Sequence, residues 1–189
     1  MRIGDALYFS PRFRFRELVL DDPKILIDAF RDRVVGFYLD PASRALDAGD
    51  AFAGGLISCA AIDFLALACA DSSPIDWLER HIPDFRGNKP VAKHFWIAFR
   101  HGLTHEGYIK SQGQFSLEIP ELFATTGPVL VINPRILLTA IRSAQSQFCD
   151  DLTPSQATHL SARLHRYFDP EIIASRSEEN LDDGERTAE

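Results

Sequence analysis

AFAGGLISCAAIDFLALACA, Ala51–Ala70, is the stretch from which the fold is read. Its apolar character is interrupted only by Gly54, Gly55, Ser58 and Asp63. A helix apolar on most of its faces must be surrounded by other elements to be stable in water. By length the stretch nearly spans a bilayer, but the central Asp63 and the lack of flanking basic anchors favour a buried core helix. An Asp inside so apolar a helix is costly unless it is paired. Asp63 is therefore expected to bond a neighbouring helix, either in a purely structural role or to orient a functional side chain.

Outward from this core, proline marks where the surrounding helices begin. Asp22-Pro23, Asp40-Pro41, Ser73-Pro74, Asn133-Pro134, Thr153-Pro154 and Asp169-Pro170 each place a capping side chain before a proline. The side-chain oxygen accepts from a helical N–H that has no other partner, and proline at the first helical position gives up nothing. Thr153 and Gln156 also match a capping box. These starts predict a mainly α protein. Its helices run from about Pro23 to Leu39, after Pro41, over Ala51–Ala70, over Pro74–His81, over Lys89–Glu106 with Gly107 as a C-terminal cap, from Asn133 to about Cys149 and from Thr153 to Phe168. A small β insertion is expected around 107–132. Tyr108–Lys110 and Gln114–Leu117 read as a hairpin about Ser111–Gly113, with Pro128–Ile132 (PVLVI) beside it. Arg12-Phe13-Arg14-Phe15-Arg16 alternates strictly. In extended form that puts Phe on one face and Arg on the other. Two readings stand: a strand or arm packing its Phe residues on the core, or a local cationic groove for phosphate.

The chain has 189 residues, 46% hydrophobic and 25% charged, which suits one globular domain, 1–174. The segment 175–189 is polar and acidic, a composition that predicts disorder. The net charge of −7 gives no global basic footprint for nucleic acid, so any RNA contact must come from a local patch. Cys59, Cys69 and Cys149 are an odd set without close pairs, which argues against a disulfide framework or zinc ribbon. Met1–Ser10 has no long apolar run behind a basic one, so no secretory signal is read there. The expectation is a soluble, cytoplasmic chain without a membrane span.

One helix carries chemistry. Stepping 100° per residue along Lys89–Glu106 gathers Ala92, Phe95, Phe99, Gly102 and Leu103 on a core face. Lys89, Lys93 and Arg100 fall on one shoulder, with Trp96 between them and the core, and His94, His101 and His105 on the other. A solvated amphipathic helix with polar shoulders would show the same pattern. His101 and His105, four apart, have a spacing that can bind zinc, but His-Glu-x-x-His is absent and no third ligand is evident.

Arg100, the polar His101 directly after it and His105 after four intervening residues, near the end of a helix, resemble the HEPN family (higher eukaryote and prokaryote nucleotide-binding domains). The resemblance implies an antiparallel helical bundle, often a homodimer. Many members are metal-independent endoribonucleases of toxin–antitoxin, antiphage or CRISPR systems; others are non-catalytic nucleic-acid-binding or protein-interaction modules, and an antitoxin or regulatory protein is an expected partner. The implied catalytic residues are Arg100 and His105, supported by His101 and Asp63, with Lys89, Lys93 and Trp96 as substrate contacts and no metal or other cofactor. The residue types suit the reaction. RNA is cleaved when its 2′-OH attacks the adjacent phosphorus; histidine titrates near neutrality and can move the protons, while arginine stays charged and grips phosphate oxygens. One geometric obstacle remains. On an ideal α-helix Arg100 and His105 are about 140° apart, so they converge only if the helix end is distorted, if Arg100 reaches around it, or if a second subunit completes the site.

Overall fold

The computed structural model describes residues 1–3, 6–70, 72–110 and 112–175, with the side chains of Thr104 and His105 left outside the description. Residues 176–189, nearly all of the tail expected to be disordered, also lie outside it. The described residues are mainly helical, with a small three-stranded sheet. They gather into two compact units, one of residues 1–33 with 151 onward and one of residues 34–150.

In the first unit, α1 (Pro23–Val34) and α7 (Pro154–Tyr167) start as the sequence predicts. Asp22 Oδ1 accepts from the Lys24 and Ile25 amides at 2.8 and 3.2 Å. Thr153 and Gln156 form the reciprocal capping box. Asp169-Pro170 stands at the head of a helical segment, 169–175. A two-residue antiparallel pair, β1 (Arg2–Ile3) with β2 (Ala6–Leu7), lies at the N-terminal end. Phe9, Phe15 and Phe168 pack their rings 5.4–5.7 Å apart. The Arg33 guanidinium lies over Phe9 and Phe168 and donates to the Phe9 carbonyl.

The run Arg12–Arg16 is not a strand. It bends back, pairs as a single bridge between Tyr8 and Arg14, and enters a 3-10 turn, Phe15–Glu17. Phe15 is buried, and the arginines are spent locally. Arg12 Nε donates to Asp32 at 2.7 Å, Arg14 Nε to the Tyr8 hydroxyl, and Arg16 lies 3.6 Å from Glu17. Alternation was misleading because local turns take up the backbone: the Phe13 amide donates to the Ser10 carbonyl, the Phe9 amide to the Phe13 carbonyl and the Glu17 amide to the Arg14 carbonyl.

The second unit is built on α3 (Ala51–Ala68), whose N-cap Asp50 accepts from the Ala53 amide at 2.9 Å. It is the one helix among the described residues long and apolar enough to cross a membrane, and 56% of that length is buried. Around it pack α2 (Asp40–Asp47), α4 (Pro74–His81), α6 (Pro134–Asp150) and a π-helix, Trp96–Glu106, that continues α5 (Lys89–Phe95). Small residues allow the close approaches. A Cβ at Gly54 would overlap the Leu46 side chain of α2, and one at Gly55 would overlap the Phe115 ring. Arg135 and Arg142 of α6 reach Asp47 and Asp40 of α2 at 2.8 and 3.0 Å.

The Asp40-Pro41 pair does not start a helix. A π-helical turn, Val35–Leu39, runs without a break into α2, and Asp40 itself is helical. Proline inside a helix lacks the N–H and crowds the preceding turn. A π turn just upstream is a recognised way to absorb such a defect, and it leaves the Asp40 carboxylate for Arg142.

The sheet also differs from the reading of the sequence. Tyr108–Lys110 is not a strand. Strands β3 (Gly113–Phe115), β4 (Phe123–Thr126) and β5 (Val129–Ile132) stand in the order β3-β5-β4, with β3 parallel to β5 and β4 antiparallel to it. The hairpin is β4–β5, turning through Gly127 and Pro128. The first turn residue has φ +58°, which glycine supplies without strain. Asn133 then fixes the exit. It caps α6 through the Arg135 and Ile136 amides, and its Nδ2 donates to the Ile119 carbonyl at 2.7 Å.

Candidate functional site

α5 begins as an α-helix after Asn88, but from Trp96 the backbone opens into π geometry that persists to Glu106. Gly107 ends it in the left-handed conformation (φ +76°), and its amide donates to the carbonyl of Gly102, five residues back. The predicted end of the helix is therefore right and its type is not. The consequence falls on the motif. Hydrogen bonds in a π-helix join residues five apart, so position 105 stands one hydrogen-bonded turn beyond position 100. The separation of about 140° belongs to α geometry and does not apply here.

Asp63 and Arg100 meet. The Arg100 Nε donates to Asp63 Oδ2 at 2.8 Å, linking the π-helix to the middle of α3, and the two side chains are 23% and 37% exposed. Asp63 thus sits at the edge of the core, more than a third exposed, and is paired across to the neighbouring helix as expected. The guanidinium carbon lies 5.8 Å from the Trp96 ring centroid, and the Trp96 side chain is buried. One turn before Asp63 on α3, burial pushes the Cys59 thiol up to about 12, with Asp63 adding to the shift and Arg100 opposing it. Cys59 therefore remains a neutral thiol beside the pair.

The other expected site residues are scattered. His101 and Lys93 are exposed. Lys89, at the start of α5, donates to Asp76 Oδ1 at 2.6 Å, and that bond raises the lysine pKa. Trp96 offers Arg100 a ring but is covered. His94 belongs to α5, and its Nε2 is buried with no hydrogen-bond partner among the described residues; nothing in the structure accounts for this. One histidine of the predicted row thus turns inward while His101 stands at the surface. The His105 side chain lies outside the described residues. Among the described residues no three His, Cys, Asp or Glu side chains are gathered as metal ligands.

Sequence reasoning missed the group at the end of the π-helix. Lys110 Nζ lies 2.8 Å from Glu106 Oε1, and the exposed Tyr108 hydroxyl also bonds Glu106, which raises the tyrosine pKa. The helix ends at Glu106 and Gly107 reverses the chain, so the return that brings Lys110 to Glu106 has no periodic signal in the sequence.

No family model, curated protein or solved structure matches this chain.

Proposed function

We propose that the chain is a metal-independent endoribonuclease of the HEPN type, its helices forming a bundle of that family's kind and its site centred on Arg100 and His105. The observation that carries the reading is the Asp63–Arg100 bond at 2.8 Å. A carboxylate on the core helix orients the guanidinium through Nε, at the helix end where the Arg-polar-x-x-x-His pattern requires a phosphate-binding cation. The π-helical backbone supports it further, since a hydrogen-bonded interval of five residues narrows the angular separation of positions 100 and 105 expected of an α-helix.

In this reading His105 takes the proton of the RNA 2′-OH as that oxygen attacks the adjacent phosphorus. Arg100 holds the charged phosphorane. The 5′-oxygen leaves with a proton, for which His101 is the second carrier. The products are a 2′,3′-cyclic phosphate and a 5′-hydroxyl. Lys93, exposed on the same helix, flanks the path of the strand, while the covered Trp96 ring backs Arg100. A toxin–antitoxin or antiphage setting is the biological context, with an antitoxin-like protein as partner.

One observation favours a non-catalytic binding module of the same fold. Lys89, Arg100 and Lys110 are each paired with an acid on a chain of net charge −7, which weakens the attraction for free RNA. Incubating end-labelled single-stranded RNA with the protein in a chelator separates the readings. The ribonuclease cleaves and leaves cyclic phosphate ends. His105→Ala loses roughly 10²- to 10⁴-fold in rate. Arg100→Lys also fails, because a point charge does not replace the fork. Activity that survives His105→Ala, or that a chelator abolishes, overturns the reading. Binding without cleavage by the wild type selects the module.

A further inference from the structure

We propose that Gly102 is a positioning residue. By letting the chain Tyr108–Lys110 lie directly against the helix, it holds Trp96–Glu106 in the π register that brings positions 100 and 105 one turn apart. The kinetic part of this inference rests on the ribonuclease reading; the structural part does not.

Glycine in a helix interior is less favourable than alanine, so a glycine inside this motif needs a reason. The reason is contact. A Cβ at Gly102 would overlap the Tyr108 carbonyl oxygen and stand 3.1 Å from the Lys110 amide nitrogen and 3.3 Å from Lys110 Cγ. The first two are backbone atoms and cannot rotate away as a side chain would.

The chain that crosses here is bonded to the helix at two carbonyls. The Lys110 amide donates to Ala98 at 3.0 Å, and the Tyr108 amide to Gly102 at 3.3 Å. Ala98 and Gly102 are four residues apart, the interval an α-helix uses for its own hydrogen bonds. The Ala98 carbonyl carries the Lys110 amide and the Gly102 carbonyl those of Gly107 and Tyr108, so the strap is laid on a helix whose ladder joins residues five apart. Gly107 makes the return possible, since its positive φ reverses the chain at once. Gly113 completes the packing: a Cβ there would lie 2.7 Å from Ile109 Cγ2 and 3.0 Å from the Phe99 ring. The strap is thus fitted to the helix at both ends of its crossing, and the residues between carry Arg100.

Gly102→Ala tests this with two readouts. Scalar couplings across hydrogen bonds, measured by NMR on labelled protein, report which carbonyl each amide of residues 100–107 meets. The wild type is expected to show partners five residues apart and Gly102→Ala partners four apart. With a defined single-stranded RNA, kcat is expected to fall roughly 10²-fold, the size of effect that follows an ångström-scale misplacement, with KM changed far less. Lys110→Pro, which deletes the amide bonded to Ala98, is expected to reproduce both changes, whereas Lys110→Ala keeps the amide and is expected to reproduce neither. Lys110→Pro also serves if Gly102→Ala does not fold.

Partners that stay five apart in both Gly102→Ala and Lys110→Pro overturn the proposal. So does a shifted ladder with unchanged kcat, or a Lys110→Ala variant as impaired as Lys110→Pro. A wild type that cleaves no RNA ends the ribonuclease reading, and the couplings still decide whether Gly102 sets the register.

Discussion

At Asp76 three donors converge on one carboxylate. Lys89 Nζ comes from α5, and the hydroxyls of Ser72 and Ser73 from the start of α4, all at 2.5–2.7 Å. The lysine bond is the main reason that the carboxyl is held well below the usual carboxylate range, and its place in the first turn of a helix favours the anion as well. A group whose pKa is lower in the folded than in the unfolded chain stabilises the fold above its unfolded value, about 3.9 for Asp. That contribution is lost as pH falls through the folded value. Asp76→Asn is therefore expected to melt below the wild type at pH 7, with the gap closing as pH drops beneath about 4. Melting curves that keep the same gap down to pH 2 would show that the carboxylate charge has no part in joining α4 to α5. Asp63 and Arg100 form another inter-helix pair. Asp63 was legible in the sequence as a carboxylate needing a partner, because an apolar helix makes that cost plain. Which partner it takes was left open, since nothing in a helical wheel fixes which helices adjoin.

Among the elements, the helix starts other than Asp40-Pro41 were legible and the helix types were not. Ser73, Asn133 and Thr153 announce themselves by local hydrogen-bond chemistry, which depends on a few neighbouring residues. The π-helix Trp96–Glu106 depends on Lys110 and Tyr108 returning across it, and no period read along the helix contains that contact. The strand pairing failed for a similar reason. Gly127-Pro128 makes the hairpin, but the parallel partner of β5 is β3, some way back along the chain, and parallel pairing leaves no turn signature. α3 shows how closely these elements are fitted. Gly55 faces the Phe115 ring of β3, and Phe115 packs 4.7 Å from Phe99 of the π-helix. Gly55→Ala should destabilise the protein by about 1–3 kcal/mol, the usual cost of overpacking, measured as a lower urea midpoint with an unchanged slope. An unchanged midpoint would mean that the ring moves aside freely.

For the whole molecule, the composition correctly indicated a chain able to bury a core, and the helical class followed from the caps. Assembly is the open prediction at this scale. A homodimer with the two Arg100–His105 segments facing across a two-fold axis is expected, closed two-fold pairing being the commonest homo-oligomer. Light scattering at micromolar concentration should give twice the 21.2 kDa chain mass. A monomer would mean that one chain must supply the whole site. The position of α3 has a consequence for how the protein is made. Its cover comes partly from α6, which begins only at Pro134, after α4, α5 and the sheet have been synthesised. A ribosome that has already released Ala51–Ala68 thus trails a greasy segment covered on only part of its surface for much of the remaining translation. Such exposed surface is what drives nascent chains to aggregate or to recruit chaperones. A stop codon between Ala68 and Pro134 should accordingly yield an insoluble fragment, not a smaller folded protein.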